Sequence, residues 1–374
     1  MSAVTAASPE GAPAPNAPDP EDDAAKFVRD VKLCANRSGS PILRDLIDQC
    51  EEQKLFGKFV ESDREANRLQ SRHRHAVHWA VWPSAAALIL GIFQLGFHKT
   101  RGESWTENLW LLIGEAAIIL LSAAAVVVGK WKEWHGRWLL ERYRAERLRL
   151  LIFDLAVDAR LWKREEPQDG DWRHWIFPKI TEIERITENS LPNEAVQERP
   201  PTIPAPSDCE GVSAAAIEPL IGFYSRAWLD SQIEYFTRKI NEEDDRFWDR
   251  SGIAFTAFAI SAAVVLIHVA FATSGNRTAS FVCLILAACI PAAAAVWKTF
   301  RSALELSRNA SRAGARLAAL NNASTLLHDE DPDQRPKPED EVWFKFETMA
   351  VCQSLLANEQ REWLRLMRDA EWFQ

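Results

Sequence analysis

Four apolar blocks of about 19–21 residues constrain this chain more than any other feature. The first runs from Trp79 to Phe97 and carries no charge. The second, Leu109 to Gly129, carries one, Glu115. The third, Gly252 to Phe271, and the fourth, Ala279 to Trp297, carry none. At about 1.5 Å per residue, each matches a hydrocarbon core about 30 Å thick. Buried helices of soluble proteins seldom run so long without a charge, so four such blocks predict four transmembrane helices. A mean hydropathy of -0.22 hides them, because charged residues, 26% of the chain, crowd the segments between.

Tryptophan placement agrees with this reading. Of the 16 Trp residues, Trp79, Trp82, Trp105, Trp110, Trp131, Trp134, Trp248 and Trp297 stand near block edges. An indole has an apolar body and one N–H donor, which suits the headgroup level. Lys and Arg supply the orientation. They gather before the first and third blocks and after the second and fourth, whereas the joining loops carry only Lys99 and Arg101, and Arg277. The positive-inside rule places both termini and the middle segment in the cytoplasm, at the inner membrane. The predicted fold is all-α: four transmembrane helices as two hairpins, extended by a cytoplasmic helical bundle.

Composition divides the rest. Residues 1–30 read as a disordered Ala-, Pro- and acid-rich tail without a secretory signal. Residues 31–165 and 212–328 each hold a hairpin with flanking helices, in the same order. The incoming helices are expected at Ile42–His78 and Ile217–Arg250, the outgoing ones at Lys130–Lys163 and Lys298–Leu327. Between the halves, 166–211 reads as a Pro-rich linker, and 329–341 as an acidic Pro-rich loop. The segment 342–374 is amphipathic, with Met349, Leu356, Trp363 and Met367 on one face, and is expected to pack on the outgoing helices.

Little in the sequence points to catalysis. There is no phosphate-binding glycine loop, nucleophile elbow or zinc-protease motif. The six cysteines form no C-x-x-C pair, which argues against a disulfide framework or structural zinc. His73, His75 and His78 cluster before the first block without a carboxylate to complete a metal site. A net charge of -9 argues against nucleic acid as a partner. No cofactor is expected, and the chain does not read as an enzyme. Arg142, Arg144, Arg147 and Arg149 are candidates for anionic phosphates, although juxtamembrane basic runs more often signal topology. Glu115 is the candidate pore-lining residue. A carboxylate in a span is costly unless it faces water or finds a partner, so a structural role stands beside this one.

Two segments resemble a known family. Trp228, Asp230, Gln232, Tyr235 and Phe236 resemble the aromatic-rich helix that leads into a two-span hairpin in the SLATT superfamily of prokaryotic membrane proteins. Trp138, Tyr143, Arg144, Ala145, Glu146, Leu148 and Arg149 resemble the helix that follows such a hairpin, though two residues usual between the Tyr-Arg and Ala-Glu pairs are missing. The tail around Trp363 is similar to the last helix of the family. The resemblance implies an effector of an antiphage or other conflict system. Such an effector acts by oligomeric pore formation or membrane perturbation, with a nucleotide-signal synthetase or sensor protein encoded nearby. The bilayer and further copies of the chain are the other implied partners. A non-enzymatic membrane-anchored scaffold is the alternative.

Overall fold

The computed structural model describes residues 22–101, 109–163, 171–191, 203–244, 252–274, 277–303, 306–328 and 340–369. Among these the regular structure is helical throughout: α1 (Asp22–Arg37), α2 (Pro41–Glu52), α3 (Leu55–Arg101), α4 (Leu109–Trp131), α5 (Trp134–Ala156), α6 (Asp171–Arg185), α7 (Ala214–Tyr224), α8 (Asp230–Asp244), α9 (Gly252–Thr273), α10 (Arg277–Ala303), α11 (Leu306–Leu327) and α12 (Glu341–Asp369). A π-turn, Ser225–Leu229, joins α7 to α8 without a break.

Local chemistry sets several boundaries. Ser40 caps α2 by accepting from the Leu43 N–H, with Pro41 at the first helical position, where its missing N–H costs nothing. Lys54 and Glu133 adopt left-handed backbone, φ 60° and 50°, and each separates two helices. The expected incoming helix Ile42–His78 is therefore two, and the chain after Lys54 continues unbroken through α3, 47 residues long. The outgoing helix expected over Lys130–Lys163 is likewise cut at Glu133 and closes in a 3-10 turn, Ala159–Lys163. Part of the segment read as a linker is helix. α6 buries Ile176, Ile180 and Ile183 in the core, an i, i+4, i+7 stripe that the flanking prolines obscured.

Two environments follow. α1, α2, α5, α6, α7, α11, α12 and the start of α3 share one core, with Trp228, Tyr224, Phe153, Phe223 and Phe346 fully buried at its centre. A smaller core joins Leu69, Trp138, Leu139, Tyr143, Leu364 and Met367, where α3, α5 and α12 meet. In each half the incoming helix packs on the outgoing one, α3 on α5 and α8 on α11. The C-terminal helix lies against α5, α7 and α11, as its apolar stripe anticipates.

The apolar segments pack chiefly as α4 on α3, α3 on α10 and α10 on α9, which among the described residues makes an open row with α4 and α9 at its ends. Of the described helices α3 alone is long and apolar enough to cross a membrane, within Leu55–Ile92. Shorter apolar helical stretches lie at Ala116–Trp131, Ala259–His268 and Thr278–Ala294. Serines clip both hairpins. Ser122 Oγ donates to the Ala80 carbonyl (2.5 Å) and meets Ser84 Oγ at 2.6 Å, and Ser261 Oγ donates to the Ala287 carbonyl (2.7 Å).

Candidate functional site

The two family-like segments, far apart in sequence, meet in the bundle. Trp138, Tyr143, Arg144, Ala145, Glu146, Leu148 and Arg149 lie on α5. Trp228 lies on the π-turn, and Asp230, Gln232, Tyr235 and Phe236 on α8. Their junction is aromatic and cationic. The Trp228 indole stacks on Phe153 with centroids 4.5 Å apart, and the Arg149 guanidinium sits over the indole, 4.9 Å from its centroid. Phe27 of α1 also lies under Arg149, at 5.9 Å. A desolvated cation over an indole is worth about 2 kcal/mol. A π-turn inserts one residue into a helix, and such turns often occur at functional positions.

From Arg149 a chain of charges runs back to α3. Glu146 binds Arg149 on one side and Arg142 on the other, at 2.6 Å for the latter. Arg142 then meets Asp63 at 2.9 Å, and Asn67 donates to the same carboxylate at 3.0 Å. Burial pushes the Glu146 carboxyl up, but Arg149 and Arg142 outweigh it and hold it below the usual range. Glu146 in turn raises Arg142 further, against its burial, with Asp63 adding to the effect.

α12 grips this arrangement with buried polar groups. Trp228 Nε1 donates to Gln353 Oε1 (3.1 Å), and Gln360 Nε2 donates to the Tyr143 carbonyl (2.9 Å). Nearer its start, the buried Lys345 ammonium donates to the Leu326 and Leu327 carbonyls at the end of α11 (3.2 and 2.6 Å). That capping suits a cation at the negative end of a helix. At the other end, Trp363 meets Trp138 edge-on, with centroids 5.8 Å apart, while Trp138 stacks on His73. Trp363 is half-buried. Sequence reasoning missed Asp63, Lys345, Gln353 and Gln360. The last two stand seven residues apart among Met349, Leu356 and Trp363, and that spacing was the available signal.

The remaining positions divide between core and surface. Tyr143, Ala145, Leu148 and Phe236 are buried in the cores, as is Gln232. Tyr235 is exposed and touches Phe236 edge-on. Arg144 pairs with Glu141 (2.9 Å) and donates to the Glu184 and Ile186 carbonyls at the end of α6 (3.0 and 2.5 Å). Arg142, Arg144 and Arg149 are thus paired within the molecule. A shallow groove of about 260 Å³ beside Arg144 is lined mainly by charged residues, among them Lys58 and Glu184, paired at 2.5 Å. Asp154 is a buried carboxylate of α5 with an unsatisfied oxygen, Oδ1. Burial raises the carboxyl to about 6 despite Arg147 and Lys179.

Among the described residues no three His, Cys, Asp or Glu side chains gather as for a metal ion. Burial pushes the Cys50 and Cys352 thiols up to about 12, so they stay protonated and inert. Glu115 falls on α4, but its side chain lies outside the described residues. No family model, curated protein or solved structure matches the chain.

Proposed function

We propose that the chain is a multi-pass protein of the inner membrane. In this reading its four apolar helices cross the bilayer as two hairpins, with both termini cytoplasmic. The bundle receives a cytoplasmic signal or partner, and several copies then open a pore or otherwise perturb the membrane. The observation that carries the reading is the surface of the apolar helices. Ile113, Leu120, Val127, Leu266, Phe271, Val282 and Leu284 are all exposed, whereas the bundle buries its large side chains. An apolar surface this extensive is an aggregation site in water and at home in lipid.

The open row α4–α3–α10–α9 supports a homo-oligomer, because one row encloses no path across a membrane. Glu115, on the end helix α4, is the candidate residue for such a path. The resemblance to SLATT proteins supports an effector role in antiphage or other conflict systems, with a nucleotide-signal synthetase or sensor as the expected partner. The function needs neither cofactor nor catalysis. A membrane-anchored scaffold is the second reading, favoured by the same open row, since an anchor needs no enclosed path.

Induced expression with a membrane-potential dye separates the two. An effector depolarises cells when its trigger is present, and Glu115→Gln alters that response while the protein still reaches the membrane. A scaffold leaves the potential unchanged in every variant while retaining a partner on its bundle.

A further inference from the structure

Where the buried bundle gives way to the exposed apolar helices, the surface is cationic. Gly129 of α4 lies against Ala76 of α3, whose Cβ is 3.5 Å from the place a Cβ on Gly129 would take. With the Ser122–Ser84 contact, this fixes the antiparallel register of the first hairpin. Lys130 and Lys132 therefore stand level with Arg72 and Arg74. All four are exposed, and none forms an ion pair with a described residue. Across the band formed by 72–76 and 129–133, the one acidic residue is Glu133.

Aromatic side chains share the band. Trp131 is 78% exposed, with the Lys132 ammonium 5.1 Å over its ring. Trp79 and Trp82, about one and two turns further along α3, are exposed as well. Beyond them the outward side chains are apolar: Leu88, Ile119, Leu120 and Leu121. This is a collar of cations and indoles at the rim of an apolar surface. A soluble polyanion would satisfy the cations and leave the indoles and the apolar rim in water.

We propose that this collar binds the headgroup phosphates of anionic phospholipids in the cytoplasmic leaflet. The proposal rests on the membrane reading above and adds a lipid preference to it. Each basic residue close to an anionic surface strengthens attachment by about fivefold, and salt weakens it over a Debye length. Arg142, Arg144 and Arg149 of α5 are held in internal pairs instead.

The test uses the full chain in vesicles of phosphatidylcholine mixed with phosphatidylglycerol. After detergent extraction, the lipid retained on the protein is counted by mass spectrometry. Phosphatidylglycerol enriched about tenfold over its share, and less at high salt, is the expected result. Arg72→Gln/Arg74→Gln/Lys130→Gln/Lys132→Gln brings the ratio close to that of the vesicle. The control Lys26→Gln/Arg29→Gln/Arg37→Gln, on the exposed face of α1, keeps the enrichment. If the quadruple variant loses the wild-type melting profile, Lys130→Gln/Lys132→Gln takes its place, with a partial loss expected. Equal retention of both lipids by the wild type, or undiminished enrichment in the variant, overturns the collar. Release of the wild-type chain from vesicles by alkaline carbonate overturns the membrane reading itself, a separate readout.

Discussion

The bundle and the apolar hairpins solve the same packing problem in opposite ways. In the bundle, large apolar side chains turn inward and buried polar groups find specific partners, as Gln353 does with Trp228 and Lys345 with the end of α11. In the hairpins, leucines and valines turn outward, and small residues and serines face the neighbouring helix, as Ser122 and Ser261 do. Apolar side chains leave water for the core of the bundle, whereas lipid gives them no reason to turn inward, so on the membrane reading proposed above the contrast marks a change of solvent along the molecule. Substitutions that are costly at one end should be mild at the other.

The largest effect is expected at Glu146. Glu146→Ala leaves Arg142 and Arg149 without their shared carboxylate, at a cost of about 3–5 kcal/mol in a denaturation midpoint read on the bundle. The pH dependence has a definite sign. The folded carboxyl lies below its unfolded value, so its contribution is complete above the unfolded pKa and disappears as pH falls through the folded one. The variant should accordingly differ most from wild type at neutral pH and converge with it in acid.

Leu120→Arg tests the other end. Leu120 is 69% exposed, so in water an arginine there is nearly neutral. At the middle of a span it costs about 2.5–3.5 kcal/mol of insertion. Loss of membrane-integrated protein in a carbonate-extraction assay is the expected outcome. Unchanged insertion would erase the contrast between the two ends.

Asp154 should run opposite to Glu146. Its carboxyl is raised to about 6, so the folded state holds a proton the unfolded chain has released. Stability therefore declines as pH rises from the unfolded value, near 4, through about 6. Asp154→Asn should remove that decline and stabilise the bundle at pH 7 by about 2 kcal/mol. A melting series between pH 4 and 8 reads both the slope and the gain.

Trp363→Ala should have the smallest effect. A fully buried indole would cost about 3–5 kcal/mol, but Trp363 is half-buried and keeps one edge contact with Trp138, so about 1–2 kcal/mol is expected. If α12 couples the bundle to the hairpins, this variant inserts normally and responds less to the trigger.

What could be read from the sequence was local. An apolar run, a stripe at helical spacing and a cluster of lysines are all contained in a few turns, so the helical class and the C-terminal packing face were legible. The helix breaks at Lys54 and Glu133 were not, because neither position carries the glycine or asparagine that usually marks left-handed backbone. The partners of the α5 arginines were not legible for a different reason. Asp63, Glu184 and Trp228 are each reached only after folding. α6 was hidden by the prolines around it, although its isoleucine spacing was present.

The unbroken course of α3 has a mechanical consequence. Its 47 residues make a rod about 70 Å long, anchored at one end between α1, α2 and α5 and flanked at the other by α4 and α10. Its partner leg, α4 with α5, is jointed at Glu133. A tilt of about 5° about the middle of such a rod displaces each tip by about 3 Å, given its length. Pro83 lies inside α3 and removes one bond from its ladder, so each leg of the first hairpin carries one weak point, α3 at Pro83 and the α4–α5 leg at Glu133.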